Sequence, residues 1–72
     1  MFSREIFAQR LLELRKDRGE TQDQLAQILR VKKAQISEME NGKKTTTLEK
    51  LVLICEHYHV SSDYLLGLSD EK

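Results

Sequence analysis

The chain has no proline, one cysteine and no apolar run longer than Leu51 to Cys55. Five apolar residues are far short of a bilayer span. A lone Cys55 excludes an internal disulfide and a multi-cysteine metal site. Nothing at the start of the chain reads as a signal or transit peptide, so the expected home is a reducing cytoplasm. Period-2 alternation of apolar and polar residues is missing, which argues against strands. There is no glycine-rich phosphate loop and no supported Ser/His/Asp arrangement, which removes the usual grounds for an enzyme. Seventy-two residues also exclude a large cleft between two domains. His57-x-His59 beside Cys55 is a poor metal site, because i and i+2 diverge on a helix and zinc wants four convergent ligands.

Net charge is absent too, with 12 basic and 12 acidic side chains. The total hides an uneven distribution. Residues 1–29 are balanced and residues 45–72 are acidic. Between them Arg30, Lys32, Lys33, Lys43 and Lys44 face only Glu38 and Glu40. A local basic stretch, rather than the sum, is what a phosphate meets.

What the chain does have is helical spacing throughout. Ser3 caps a first helix, with Phe2 and Phe7 spaced as a hydrophobic staple and Phe7, Leu11 and Leu14 on one face. Gly19 stops it. Thr21 caps a second helix with Leu25, Ala26 and Leu29 inward. A third carries Ile36, Met39 and Glu40 on one side and ends at Asn41–Gly42. Thr47 caps a fourth, with Leu48, Leu51, Ile54, Cys55 and Tyr58 as its packing residues. Ser61 caps a short fifth, with Tyr64, Leu65 and Leu68 turned inward. Cys55 is expected to fill a small core space, and Tyr58 and Tyr64 to pack with their hydroxyls at the rim. The reading is all-α, five helices in one domain over residues 1–72. The polar residues 69–72 form a tail or the start of a linker.

The segment from 21 to 42 is the informative one. Two one-sided helices of about eight residues, joined by a turn of about three, have the sequence form of a helix-turn-helix. The run Thr21-Gln22-Asp23-Gln24-Leu25-Ala26-Gln27-Ile28-Leu29, then Val31, then Ile36-Ser37-Glu38-Met39-Glu40-Asn41-Gly42-Lys43, resembles the Cro/CI-type (XRE) helix-turn-helix family of bacterial and phage regulators. Leu11-x-x-Leu14-Arg15-x-x-x-Gly19 and Leu48-x-x-Leu51-x-x-Ile54-x-x-x-Tyr58-x-Val60-Ser61 extend the resemblance over roughly residues 5–68.

That resemblance implies a compact lambda-repressor-like fold, with the helix-turn-helix at helices 2 and 3. It implies sequence-specific binding of a double-stranded DNA operator, as a homodimer on half-sites about 34 Å apart, by a repressor. Neither cofactor nor small-molecule ligand is implied. Lys33, Ala34, Ser37 and Glu38 match base-facing positions of the recognition helix, and the helical wheel independently sets Ala34, Ser37 and Glu38 away from Ile36 and Met39. Lys33 suits guanine O6 or N7, Ala34 a thymine methyl, and Glu38 cytosine N4. Gln22 matches a phosphate contact at a helix start. Gln35 lies at the edge of the reading face, Lys32 at the phosphate end of the helix. Asn41, Lys43 and Lys44 match a backbone-contacting loop. Arg15 and Glu40 match a partly buried ion pair. The chain departs from the family pattern at Arg30, where glycine is frequent, at Lys32, where Ser or Thr is favoured, and near Thr46, where proline is common. A left-handed Arg30 would be mildly strained. Leu12, Val52, Leu53 and Leu66 are candidates for a dimer surface. The competing reading is a protein-interaction module, such as an antitoxin subunit or antirepressor partner. Salt-dependent, sequence-selective DNA binding separates the two.

Overall fold

Ser3 starts the first helix in the way its side chain allows: its Oγ accepts from the Ile6 amide at 3.2 Å, filling one orphan donor of the first turn. The computed structural model describes residues 1–72 and contains α1 (Arg4–Asp17), α2 (Gln22–Leu29), α3 (Lys33–Glu40), α4 (Leu48–Tyr58) and α5 (Ser62–Leu65), with no strand. The Phe2 and Phe7 rings lie 6.4 Å apart, completing the staple. Thr21 and Gln24 form a reciprocal capping box at α2, Thr21 Oγ1 accepting at 3.1 Å and Gln24 Oε1 at 2.8 Å. Thr47 and Ser61 cap α4 and α5 by the same side-chain acceptance.

The ends follow from local chemistry as well. Gly19 at φ +67° and Gly42 at φ +75° turn the chain after α1 and α3. After α2 that duty falls on Arg30, held at φ 58°, ψ 45°. Val31 donates its amide back to the Ala26 carbonyl at 3.0 Å, so the left-handed residue closes the helix although it is not glycine. His59 does the same after α4, at φ 57°.

Helices of eight residues are too short to persist alone. Tertiary burial holds α2 and α3. Leu25, Leu29 and Ile36 are fully buried, each worth about 1.5–3 kcal/mol. They join Phe7, Leu11, Ile54 and Leu65 in one core. In it α1 packs on α3 and α5, α2 on α3 and α4, and α4 on α5. The Cα radius of gyration is 10.9 Å.

Two expected packing residues are not in that core. Leu48 is 81% exposed and Leu68 72% exposed. Leu48 is the first residue of α4, one turn before the buried Leu51. Leu68 follows the left-handed Gly67 (φ +80°), after an α5 of only four residues, so the chain has already turned. Cys55 is half-buried and rests on the core edge rather than inside it; burial pushes its thiol pKa up.

Two polar clasps join residues that no local sequence pattern links. Glu20, between α1 and α2, accepts from the Tyr58 hydroxyl at 2.6 Å and meets His57 Nε2 at 2.5 Å, tying that corner to the end of α4. Arg10 lies 4.3 Å over the Tyr64 ring and donates to the carbonyls of Tyr64 and Ser69 (2.7 Å for Ser69) and to Asp70 at 2.9 Å. With Ser61 donating its amide to the Lys72 carbonyl at 2.8 Å, residues 69–72 fold back on the molecule instead of extending from it. Burial, then hydrogen bonding to the Glu20 carboxylate, raises the Tyr58 pKa far above the usual phenol value. Above a pH of about 10 the unfolded chain releases this proton and the folded one retains it. The stability due to Tyr58 is thus present below pH 10 and lost as pH rises further. Absorbance at 295 nm, followed together with circular dichroism, should therefore show Tyr58 ionising only as the chain unfolds. Ionisation of Tyr58 in a chain still folded by circular dichroism is the contrary result.

Candidate nucleic-acid interface

The third helix divides cleanly by exposure. Ile36 and Met39 are buried, while Lys32, Lys33, Ala34 and Gln35 are exposed and Ser37 and Glu38 half-exposed. The buried pair fixes rotation about the helix axis, so the other side chains share the outward face. Lys43 and Lys44 lie just beyond its end, both exposed. Their amides donate to the Glu38 carbonyl at 3.0 and 3.3 Å, which holds the loop against the helix. Arg4, from the start of α1, reaches the Lys43 carbonyl at 3.4 Å.

Several of these side chains are engaged with one another. Lys44 Nζ is 3.7 Å from Glu38 Oε2. Asn41 donates to Ser37 Oγ at 3.3 Å. Gln35 turns its Oε1 back to accept from the Lys32 amide at 2.9 Å. That is one half of a capping box. The other half is missing because a lysine side chain has no acceptor.

Behind the outward face lies a partly buried polar cluster. Arg15 Nε donates to Glu40 Oε2 at 2.6 Å and Arg15 Nη2 to Glu40 Oε1 at 3.1 Å. Arg15 Nη1 also donates to the Glu20 carbonyl at 2.7 Å. The Arg15 and Glu40 side chains are 12% and 4% exposed. Hydrogen bonding to Glu40 raises the Arg15 pKa against the opposing effect of burial. Gln22 is half-exposed, and its Nε2 donates to the same Glu40 Oε1 at 2.9 Å. The residue expected to face a phosphate is thus tethered from behind by an acid at the far end of the motif.

The contacts of Glu20 with His57 and Tyr58, and of Arg10 with Tyr64, escape a reading of the sequence alone. The paired residues lie 37, 38 and 54 positions apart. Local spacing carries no signal over such separations. His57 pairs with Glu20 while His59 occupies the left-handed end of α4, so the two rings of the His-x-His pair serve different ends.

Residues 11–65 match the helix-turn-helix family model HTH_3. The chain is 39% identical over 66 residues to the uncharacterized HTH-type transcriptional regulator YobD of Bacillus subtilis; the match takes in 92% of this chain and 59% of YobD. Among solved structures it is similar to a transcriptional regulator from Listeria innocua, with TM-score 0.84 and 30% identity over 92% of this chain and 62% of that one. It is also similar to the clp gene regulator ClgR from Corynebacterium glutamicum, with TM-score 0.79 and 33% identity over 89% of this chain and 68% of that one.

Proposed function

The chain belongs to the helix-turn-helix family of transcriptional regulators, and on that premise we propose that it binds double-stranded DNA with α3 in the major groove. The observation that carries the reading is the division of α3. One face is locked into the core by Ile36 and Met39, and the other offers Lys33, Ala34, Ser37 and Glu38 next to Lys43 and Lys44. In this role Lys33 donates to guanine, Ala34 touches a thymine methyl, and Glu38 accepts from cytosine N4. Gln35 works at the edge of that face. Gln22, Lys32, Asn41, Lys43 and Lys44 contact the phosphate backbone and set register. The chemistry is recognition, not catalysis, and its use is repression in the cytoplasm.

Residues 1–72 act as one domain, and two copies occupy two half-sites. Val52 and Leu53, both exposed on α4, offer apolar surface for that pairing; Leu12 and Leu66 are half-buried and contribute less. Binding stoichiometry on an isolated operator, obtained by selection from randomised duplexes, tests this directly.

Salt dependence tests the phosphate assignments. The logarithm of affinity should fall with the logarithm of salt concentration, with a slope of about −0.9 per phosphate neutralised. Lys43→Ala should weaken binding to every duplex by a similar factor and make that slope shallower by about one for each copy bound. A changed base preference at one operator position in Lys43→Ala would move Lys43 from the backbone to the bases.

A further inference from the structure

We propose that Glu40 is a positioning residue for DNA binding: its carboxylate, locked by Arg15, holds the Gln22 side-chain amide in the orientation in which it meets a phosphate. This rests on the DNA-binding reading and extends it, from which residue touches the backbone to what sets that residue beforehand. Gln22 is the first residue of α2 and Glu40 the last of α3, so the contact joins the two ends of the motif.

The chemistry of the contact determines the amide's orientation. Glu40 is an acceptor only, so the group that faces it must be the NH2 of Gln22 and not its carbonyl. The carboxylate itself cannot swing away. Arg15 grips both carboxylate oxygens, and the Glu40 side chain is 4% exposed, with little access to water as a substitute partner. The Gln22 nitrogen has a second N–H that Glu40 leaves free. Beside it lie the first backbone amides of α2, which no helix can satisfy internally. A surface glutamine would lose rotamer freedom on meeting a phosphate; Gln22 has lost it already. The dependence runs one way. Removing Gln22 leaves the Arg15–Glu40 pair whole, whereas altering Glu40 releases Gln22.

A double-mutant cycle on DNA affinity tests this, using Gln22→Ala and Glu40→Gln on a duplex of arbitrary sequence at low salt. Glu40→Gln keeps size but offers one acceptor oxygen to three donors, so Gln22 is let go. Gln22→Ala should weaken binding by about tenfold, the usual size for a hydrogen bond to a charged group. Glu40→Gln should do nearly the same, and the double variant should bind within about twofold of the weaker single. A double variant weakened by the product of the two factors overturns the inference. So does an unchanged affinity in either single variant. If the unsubstituted chain binds no duplex, the DNA-binding reading itself falls and takes this one with it. Should Glu40→Gln not fold at the assay temperature, side-chain amide relaxation of the unsubstituted protein decides. The Gln22 NH2 should be as ordered as the helix backbone, and mobility equal to that of the exposed Gln27 overturns the proposal.

Discussion

Glu40→Ala should destabilise the domain by about 3 kcal/mol, at the lower end of the range for breaking a buried ion pair from one side. The loss comes from Arg15, which is 12% exposed and gives up two of its three acceptors, keeping only the Glu20 carbonyl. Chains this short bury a modest share of their surface and have little stability in reserve. The melting temperature should drop by about 12–24 °C on the scaling for small domains. The urea midpoint should fall with an unchanged slope. Lys44→Ala is the built-in comparison. It breaks an ion pair with Glu38 at 3.7 Å whose partners are 68% and 37% exposed, and should cost under about 1 kcal/mol. Arg15→Met with Glu40→Leu should recover most of the loss, since an apolar pair leaves no uncompensated charge. A midpoint for Glu40→Ala no lower than that for Lys44→Ala would show that Arg15 finds water instead.

The Arg15–Glu40 pair also shows where a sequence reading reaches and where it stops. Ser3, Thr21, Thr47 and Ser61 are legible as caps because a cap and its amide lie within three residues. The inward faces of α1, α2 and α3 are legible because helical periodicity assigns them. Arg30 is legible as a left-handed residue only through the family resemblance, which has glycine frequent at that turn. Periodicity gives a face but not the extent of the neighbour covering it, so Leu48 and Leu68 fall on the inward faces by spacing and yet lie exposed. The Glu20–His57–Tyr58 and Arg10–Tyr64 clasps depend on how α4 and α5 come to rest against α1, which no local pattern encodes. Within the site, the outward placement of Ala34, Ser37 and Glu38 is readable from the wheel, and that of Lys33 only through the resemblance. The inward tether of Gln22 is not readable, because its partner is 18 residues away and equally able to face water.

Lys32→Asp should move stability and DNA affinity in opposite directions. Lys32 is the residue just before α3, extended at φ −84°, ψ 152°, and its side chain makes no capping hydrogen bond. A helix start presents unpaired amides and partial positive charge. Lys32 and Lys33 add two ammonium groups there, and relief in the free protein comes from Gln35, whose side chain accepts from the Lys32 amide and whose own amide donates to the Lys32 carbonyl at 2.9 Å. An aspartate at 32 supplies the missing half of that box. It accepts from the Ala34 or Gln35 amide and places negative charge at the positive end of α3, worth about 1 kcal/mol. That should raise the melting temperature by about 4–8 °C. In the proposed DNA complex the same end of α3 would face a phosphate, which would satisfy the amides and both ammonium groups at once. The aspartate removes one cation and sets a carboxylate against that phosphate, so affinity should fall severely on every sequence. The salt slope should become shallower by about 0.9 for each copy bound. Thermal melts and binding titrations on this one variant measure both halves. If Lys32 only points into solvent and water caps the helix, both effects shrink together. A lower melting temperature, or an unchanged affinity, would mean that this chain does not give up stability at the start of α3 for its hold on DNA.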